Sequence, residues 1–305
     1  MRMIYYLATK KYCNTMTGWF DHYADLLAGR LRILPYECLR GRIETGTYIF
    51  SDIERLSPRT ANRLSLLWDR MRGAGCRLLN HPVHSLRRYA LQQALENDFR
   101  LFRANEGIEE IRLPAFLRAE NDHGGSLTEL IHTRAELATA RKRYPHAIAV
   151  EFLDTADEDG IYRKYSVMRI GDRIEARHIQ FSRNWIVKFV DLIEPAFLDE
   201  EEAYVRENPH AEQLRPIFEK AQIEYGRIDY SIKDGRLEIW EINTNPMMIT
   251  SSTTKQPARA ELLDCVGETI NQALFELELP TGSQHNSFMH FGVRRGWPWK
   301  SQFAR

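Results

Sequence analysis

The chain has 305 residues, which is long for one compact domain and suits two or three subdomains. Forty-two Lys and Arg residues balance forty-two Asp and Glu residues, so no overall electrostatic field favours nucleic acid or an anionic membrane as a partner. Hydrophobic residues make up 43% and charged residues 28%, an ordinary globular composition, and no apolar run has the length of a transmembrane helix.

The first third of the chain alternates strand and helix patterns. The apolar run near the N-terminus ends at Lys10 and Lys11, and it indicates a first strand rather than a signal peptide. The predicted elements are strand 3–8, helix 18–31, strand 48–50, helix 58–71 closed by glycines at 73–75, strand 76–79 and helix 87–97. This alternation is typical of an α/β domain with a parallel sheet, which we place at residues 1–97.

Short strands dominate the next part of the chain and predict two α+β units. The predicted elements are strand 114–118, a loop at 121–126, a helix within 127–144, strands 147–153, 162–170 and 173–181, helices within 195–225, and a closing helix 258–276. We divide this part at residue 170, into a small subdomain (98–170) and a C-terminal subdomain (171–278) followed by a tail (279–305).

The cysteines say little about chemistry. Cys13, Cys38, Cys76 and Cys265 are far apart and form no CxxC pair. Reduced thiols in the cytoplasm are the simplest interpretation, so we expect a cytoplasmic protein.

The most informative segment is LEIWEINTNP, residues 237–246. It reads as a strand, and side chains two apart in a strand share a face, so Glu241 and Asn243 point the same way. Asp229, in the preceding strand-like run, joins that face if the connecting loop has three residues with Gly235 left-handed. In this register Asp229 lies opposite Ile239, whereas a two-residue loop would turn Asp229 towards the apolar side.

The opposite face of this hairpin carries Ile228, Tyr230, Trp240 and Ile242 and is predicted to face the core. Carboxylate and amide oxygens are hard ligands that suit Mg²⁺. The sequence therefore predicts a magnesium site made of Asp229, Glu241 and Asn243, and a solvated strand face is the plainer alternative.

Asp229 followed by GRLEIWEINTNP resembles the C-terminal signature of the ATP-grasp superfamily, which includes D-alanine–D-alanine ligase, glutathione synthetase and the ribosomal-protein glutamate ligases. The resemblance implies an α/β and α+β fold, in which an N-terminal α/β domain precedes two α+β subdomains that clasp the nucleotide. It also implies ATP and Mg²⁺ as cofactors, with the three oxygen ligands holding Mg²⁺ on the triphosphate.

The same resemblance assigns residues to the phosphates. Similar enzymes place a mobile glycine-rich loop over the triphosphate, and His123, Gly124 and Gly125 occupy that place here. Those enzymes usually have lysines where this chain has Arg88 and Arg118. Arginine keeps the positive charge and adds a two-pronged donor.

The resemblance further implies an adenine site at the end of strand 147–153. There Glu151 would accept a hydrogen bond from the adenine amino group, and the backbone of Phe152 and Leu153 would read the ring edge. Arg177 and Arg183 are candidates for contacts to phosphate or acyl phosphate, because phosphoryl transfer needs cations where charge spreads over oxygens. Two surface charges are the alternative for these arginines.

The implied activity is ATP-dependent ligation of a carboxylate to an amine or thiol, through an acyl phosphate and with release of ADP. The expected partner is a small molecule or peptide that offers a carboxylate, with an amine acceptor, and neither nucleic acid nor membrane is expected. A phosphotransferase on the same scaffold and a nucleotide-binding module without turnover remain alternatives.

Overall fold

The computed structural model of the chain describes residues 3–39, 41–103, 106–188, 192–277 and 289–291, with the backbone alone at 41–43 and 289–291. Its strands are β1 Ile4–Ala8, β2 Leu31–Pro35, β3 Gly41–Ile43, β4 Thr47–Phe50, β5 Arg77–Leu79, β6 Leu101–Phe102, β7 Ala115–Arg118, β8 Ile148–Glu151, β9 Tyr162–Ile170, β10 Arg173–Ser182, β11 Tyr225–Lys233, β12 Arg236–Asn243 and β13 Met289–Phe291. Its helices are α1 Thr17–His22, α2 Ala24–Leu27, α3 Pro58–Gly73, α4 Arg88–Ala94, α5 Arg134–Arg143, α6 Pro195–Glu207, α7 Ala211–Ala221 and α8 Ala260–Phe275. Within the described part of the chain, each helix is too short or too polar to cross a bilayer.

The N-terminal domain is built on a parallel sheet of order β2-β1-β4-β5. Every residue of β1 is buried, as expected for a central parallel strand with both faces covered. Helix α3 begins at Pro58 after Ser57, whose hydroxyl accepts a hydrogen bond from the Thr60 amide at 3.2 Å. The predicted α/β fold with a parallel sheet is therefore confirmed for this part of the chain.

The predicted helix 18–31 is wrong in its second half. The chain forms the short helices α1 and α2, and then Gly29 adopts a left-handed conformation (φ 77°) that no helix continues through. Leu31 begins strand β2 instead, where its side chain is 1% exposed in the core of the parallel sheet.

A second, three-stranded sheet has the order β6-β8-β7, all antiparallel. Helix α5 covers it and begins with a capping box, in which the Thr133 and Glu136 side chains each accept from the other's backbone amide. Leu137 of α5 packs into the small apolar core of this unit.

The third sheet has the order β10-β9-β11-β12 and is antiparallel. Helices α6 and α7 cover one face, where Tyr204, Leu214 and Phe218 join the core. The predicted division at residue 170 would separate β9 from its hydrogen-bonded partners β10 and β11. The division of the chain stays a prediction, but sheet membership favours a break between β8 and β9.

The loop predicted for the β11–β12 hairpin is wrong. Lys233 pairs with Arg236, so the loop is the two-residue turn Asp234-Gly235, with φ of 50° and 77°. A β-bulge then follows: Tyr230 pairs with Ile239 and Asp229 pairs with Glu241, so the register skips Trp240. The bulge, and not an odd-numbered loop, sets Asp229 beside Glu241.

The predicted core face of this hairpin is confirmed for three of its four residues. Ile228, Tyr230 and Ile242 are buried beneath α6 and α7. Trp240 is the residue skipped by the bulge, and it packs instead on Phe99 of the small subdomain, with ring centroids 4.8 Å apart.

The N-terminal domain and the third sheet share one hydrophobic core. Tyr6 of β1, Met168 of β9, Tyr225 of β11 and Ile270 of α8 belong to the same buried cluster. The polar face of the sheet, beyond this cluster, therefore lies next to the N-terminal domain. The predicted tail lies outside the described residues except for β13, which pairs with β3. All four cysteines are described, and none forms a disulfide.

Candidate functional site

Three oxygen-bearing side chains lie together on the polar face of the third sheet. Asp229 and Glu241 are directly paired across β11 and β12, and Asn243 follows two residues later on β12. Asp229 is 3% exposed, Glu241 9% and Asn243 5%. The structure thus brings the three predicted ligands to one end of one hairpin.

Asp229 is held in place by hydrogen bonds. Ser166 of β9 donates to Oδ1 at 2.7 Å, and Arg227 donates to both oxygens, at 2.7 and 2.9 Å. Lys164 Nζ lies 4.0 Å from Oδ2. The carboxylate is therefore oriented by neutral and cationic donors from its own sheet.

Glu241 faces cations from the other two units. Arg88 donates to its Oε2, Arg118 Nη2 lies 3.4 Å from the same oxygen, and His123 Nδ1 lies 3.5 Å from Oε1. Burial alone would raise the pKa of Glu241, but the charges of Arg88, His123 and Arg118 outweigh it and hold that pKa well below its usual range. Glu241 is thus ionised at neutral pH.

The glycine-rich loop lies directly over Glu241. Arg88 holds the start of this loop, because its Nη1 donates hydrogen bonds to the carbonyl oxygens of Ala119, Glu120 and Asp122 at 3.0, 2.8 and 2.9 Å. His123 reaches between Glu241 and Glu54 of the N-terminal domain, whose Oε2 is 4.0 Å from Nε2. Gly124 and Gly125 continue the loop, and an added Cβ at Gly125 would come within 3.8 Å of Lys188 Nζ.

The cations of the site have donors left over. Arg88 Nε, Arg118 Nε and both ring nitrogens of His123 are buried, and no described residue forms a hydrogen bond with them. Burial, and then the neighbouring Arg88, lower the pKa of Arg118 to about 10, so two like charges are held together at a cost. A polyanion next to Glu241 would satisfy these donors, and so a triphosphate fits the residues that are present.

The oxygen atoms of Asp229, Glu241 and Asn243 also fit a cation that takes most of its ligands from phosphate and water. Among the described residues, no group of three or more His, Cys, Asp or Glu side chains is arranged to hold a metal ion. Two carboxylates and one amide are what Mg²⁺ uses when phosphate oxygens and water complete its shell. Asn243 Oδ1 already accepts from the Asn245 amide at 2.8 Å, which fixes the direction of its side chain.

Glu151 is not available in the expected way. Its carboxylate is 1% exposed and is clamped by Arg100 and Arg112, with the shortest contacts at 2.7 and 2.8 Å and both backbone amides donating as well. Burial alone would raise the pKa of Glu151, but these hydrogen bonds outweigh it and lower the pKa to about 2. Both oxygens are fully engaged by arginines, which disfavours an acceptor role towards adenine.

Three aromatic side chains pack together next to the end of β8. The Trp185 ring centroid lies 5.0 Å from that of Phe116 and 5.8 Å from that of Phe152. The Phe152 amide is already used by the Pro114 carbonyl at 3.0 Å, and Leu153 packs in the cluster around Trp240. These rings offer flat apolar surface of the kind that a nucleobase stacks on.

The two candidate arginines, Arg177 in β10 and Arg183 just after it, lie in different surroundings. Arg183 is exposed and lines an open cavity of about 610 Å³ together with Tyr162, Asn184 and Trp185. Arg177 is 2% exposed and lies under α1, where its Cζ is 5.9 Å from the centre of the Trp19 ring. Neither arginine makes a described contact with Asp229, Glu241 or Asn243.

Sequence reasoning missed several members of the site. Arg227 lies two residues before Asp229 on the same strand, so the rule of alternate faces was sufficient to find it. Lys164, Ser166 and Glu54 come from elements distant in sequence, and no local pattern marks them. Glu54 accepts from the amide and the hydroxyl of Thr244 at 2.7 and 2.8 Å, which ties the N-terminal domain to the site.

Comparison with known proteins supports the fold. No protein-family model matches the sequence, and no curated protein matches it. Among solved structures, the chain is similar to D-alanine–D-alanine ligase from Bacillus anthracis complexed with ATP (TM-score 0.52, 11% identity, 91% of this chain and 96% of that one). It is also similar to the ligase from Coxiella burnetii (0.53, 12%, 90% and 93%) and to a RimK-domain ATP-grasp protein from Sphaerobacter thermophilus (0.51, 12%, 89% and 99%). The chain therefore has the ATP-grasp fold.

Proposed function

We propose that this protein is an ATP- and Mg²⁺-dependent ligase that joins a carboxylate to an amine or thiol, with ADP and phosphate as products. The observation that carries the proposal is the pairing of Asp229 with Glu241 beneath Arg88, Arg118 and His123. Oxygen ligands for a cation and unused donors for phosphates are side by side. This is the arrangement that a metal–triphosphate complex requires.

The side chains have separate tasks in this proposal. Asp229, Glu241 and Asn243 would hold Mg²⁺, which supplies charge neutralisation on the phosphates when it is bound. Arg88 and Arg118 would turn from Glu241 to the phosphate oxygens, and Lys164 and Arg227 would stabilise negative charge near Asp229. The loop with Gly124 and Gly125 would exclude water, so that an acyl phosphate formed on the substrate meets the amine first.

The site needs no nucleophile from the protein. The substrate carboxylate attacks the γ-phosphorus of ATP and ADP leaves. The amine then attacks the acyl carbon and phosphate leaves, while the amine gives up a proton. The substrates are proposed to be small molecules or peptides, and the enzyme is proposed to act in the cytoplasm.

The full chain can be tested by measuring ADP release with Mg²⁺-ATP against amino acids and dipeptides, alone and in pairs. We expect release only when a carboxylate and an amine acceptor are both present. Glu241→Gln is expected to lower the rate at least 100-fold, because it removes a charge that binds the metal. Glu238→Gln is the matched control, since Glu238 lies on the same strand and its described contact is to the Asp98 amide.

Two other outcomes would replace the proposal. A stable phosphorylated product without a second substrate would make the protein a phosphotransferase. ATP binding that is equal in wild type and Glu241→Gln, with no turnover in either, would make it a nucleotide-binding module.

A further inference from the structure

Arg177 is a buried cation that forms no ion pair with a described residue. It occupies a bulge in β10, between Ala176 and His178, and is 2% exposed. Its Nε and Nη1 have no hydrogen-bond partner among the described residues. The nearby carboxylates are already taken, because Arg227 binds Asp229 at 2.7 Å and Arg259 binds Glu201.

Two more unused donors lie around the same indole ring. Arg177, Tyr23 and Asn271 all contact Trp19: Arg177 Cζ is 5.9 Å from the ring centre, the Tyr23 ring is 4.9 Å away, and Asn271 Oδ1 accepts from Trp19 Nε1 at 3.0 Å. Within the described part of the chain, Tyr23 Oη and Asn271 Nδ2 are buried without a hydrogen-bond partner. We call these four residues the Trp19 cluster.

The Trp19 cluster joins three parts of the fold. Trp19 and Tyr23 come from α1 and the residue after it, Asn271 from α8, and Arg177 from the sheet that carries the candidate metal ligands. The Asn271 amide cannot turn round without losing the indole donor, so its NH₂ group is fixed as a free donor. Tyr23 is fixed as well, because its hydroxyl lies 1.7 Å from where a Cβ on Gly267 would stand.

Buried donors with no acceptor destabilise a protein, and a buried unpaired guanidinium does so most. Their retention at one place is explained when a ligand supplies the acceptor. A guanidinium, a phenol hydroxyl and a carboxamide NH₂ together recognise a carboxylate. Arg88 and Arg118 contact Glu241, whereas the described contact of Arg177 is with Trp19, so the Trp19 cluster is distinct from the residues proposed to bind the phosphates.

We propose that the Trp19 cluster binds a carboxylate group of a substrate, so that one of the two molecules joined is an acidic compound with a carboxylate besides any that reacts. The assignment to a substrate rests on the proposed ligase function. The existence of a carboxylate site does not, since it depends on Arg177, Tyr23 and Asn271 alone.

Thermal shifts of the full-length protein test the site directly. The probes are L-glutamate against L-glutamine and L-aspartate against L-asparagine, each with and without Mg²⁺-ATP, on wild type and Arg177→Met. Arg173→Met is the matched control, because Arg173 lies on the same strand, is partly exposed and pairs with Glu175. We expect at least one acid, but not its amide, to raise the melting temperature of wild type and Arg173→Met and not that of Arg177→Met.

Ligand-free Arg177→Met is expected to melt ~3 °C or more above wild type, since an uncompensated buried charge has been replaced by an apolar chain of similar length. A destabilised Arg177→Met would show that the arginine has a structural role and overturn the proposal. Equal acid-induced shifts in wild type and Arg177→Met, or no acid-induced shift in wild type, would overturn it too.

Turnover separates a substrate from an effector. If the acid is a substrate, the rate of ADP release increases with the concentration of the acid until it saturates. Arg177→Met then raises the KM for the acid at least 10-fold and changes kcat much less. An acid that binds through Arg177 but only alters turnover of other compounds would overturn the assignment to a substrate. If Mg²⁺-ATP does not raise the melting temperature of wild type, the proposed ligase function is contradicted. An acid-induced rise that depends on Arg177 would still support the carboxylate site.

Discussion

Arg88 connects the loop over the site to the carboxylate beneath it. Its guanidinium donates to three carbonyl oxygens of residues 119–122 and also to Glu241. Lysine carries the same charge but has a single ammonium group, which cannot reach both sets of acceptors in one geometry. A positive charge alone is therefore insufficient at this position.

Arg88→Lys is expected to weaken Mg²⁺-ATP binding at least 10-fold and to reduce stability by about 1–3 kcal/mol, because loop carbonyls lose a donor. Calorimetric titration with nucleotide and chemical denaturation measure the two effects. Arg87→Lys is the control on the neighbouring residue, whose described hydrogen bond is to the Leu56 carbonyl. Equal nucleotide affinity in Arg88→Lys and wild type would exclude this role for Arg88.

Glu151 gives a prediction about pH. Its pKa is lowered in the folded protein, to about 2, so its contribution to stability is complete above the unfolded-state pKa of about 4.3 and is lost as pH falls towards 2. Glu151→Gln lacks this contribution at every pH. We expect the variant to be less stable by roughly 2 kcal/mol at pH 7, and the difference to shrink between about pH 5 and pH 2.

The measurement is the free energy of unfolding of both proteins at a series of pH values. Because other carboxylates titrate in both proteins, the difference between the two curves isolates Glu151. A difference that stays constant down to pH 2 would contradict the arginine clamp.

At the scale of elements, the hairpin β11–β12 shows what sequence can and cannot predict. Glu241 and Asn243 lie on the same face of β12, which follows from strand periodicity, and the core positions of Ile228 and Ile242 follow from the same rule. The two-residue turn was readable as well, since Asp-Gly with both residues at positive φ is a common two-residue hairpin turn. The bulge at Trp240 was not readable locally, because Trp240 packs on Phe99, a contact with another subdomain. Two errors, in the loop and in the bulge, cancelled, so the predicted ligands lie together for a different reason.

Strand β2 escaped prediction, and the sheet to which β9 belongs could not be read from the sequence, for a similar reason. Both are decided by which strand provides hydrogen bonds, and partners such as β1 or β11 are separated from them by many residues. Elements with strong local signals, such as α3 with Ser57 and Pro58 at its start, were predicted almost to their ends. Periodicity and caps are readable locally, whereas register and sheet membership are not.

The turn between β9 and β10 tests the packing of α8. Gly171 has φ of 61°, and an added Cβ would lie 2.7 Å from Leu277 Cδ2. We expect Gly171→Ala to destabilise the protein by about 1–3 kcal/mol, through backbone strain and this contact. Gly73→Ala is the control: Gly73 ends α3, and a Cβ added there would have no described neighbour within 4 Å, so this change is expected to be neutral or to stabilise by up to about 1 kcal/mol.

Denaturant unfolding of the two glycine variants measures both effects, and ADP release per folded molecule should be unchanged in each. Gly171→Ala with the stability of wild type would mean that α8 and the turn are not packed together as described.

At the scale of the whole molecule, the segment after the candidate metal ligands joins the N-terminal domain to the third sheet. Asn245 is 3% exposed; its Oδ1 accepts from Tyr6 at 2.7 Å and from Thr15, and its Nδ2 donates to the Tyr12 carbonyl at 3.1 Å. These contacts lie next to the core that the two units share. The N-terminal domain is thus coupled to the same strand end that carries Asn243.

Asn245→Ala removes the acceptor of the buried Tyr6 hydroxyl and leaves the Thr15 hydroxyl with the Tyr12 carbonyl alone, so it is expected to reduce stability by about 1–3 kcal/mol. Because the shared core remains, we expect both wild type and the variant to unfold in one cooperative transition, seen together by calorimetry and tryptophan fluorescence. Asn62→Ala, on the exposed face of α3, should change stability by less than about 0.5 kcal/mol. Separate transitions by calorimetry and by fluorescence in wild type would show that the domains unfold independently. The N-terminal domain would then not be fixed in position next to the site.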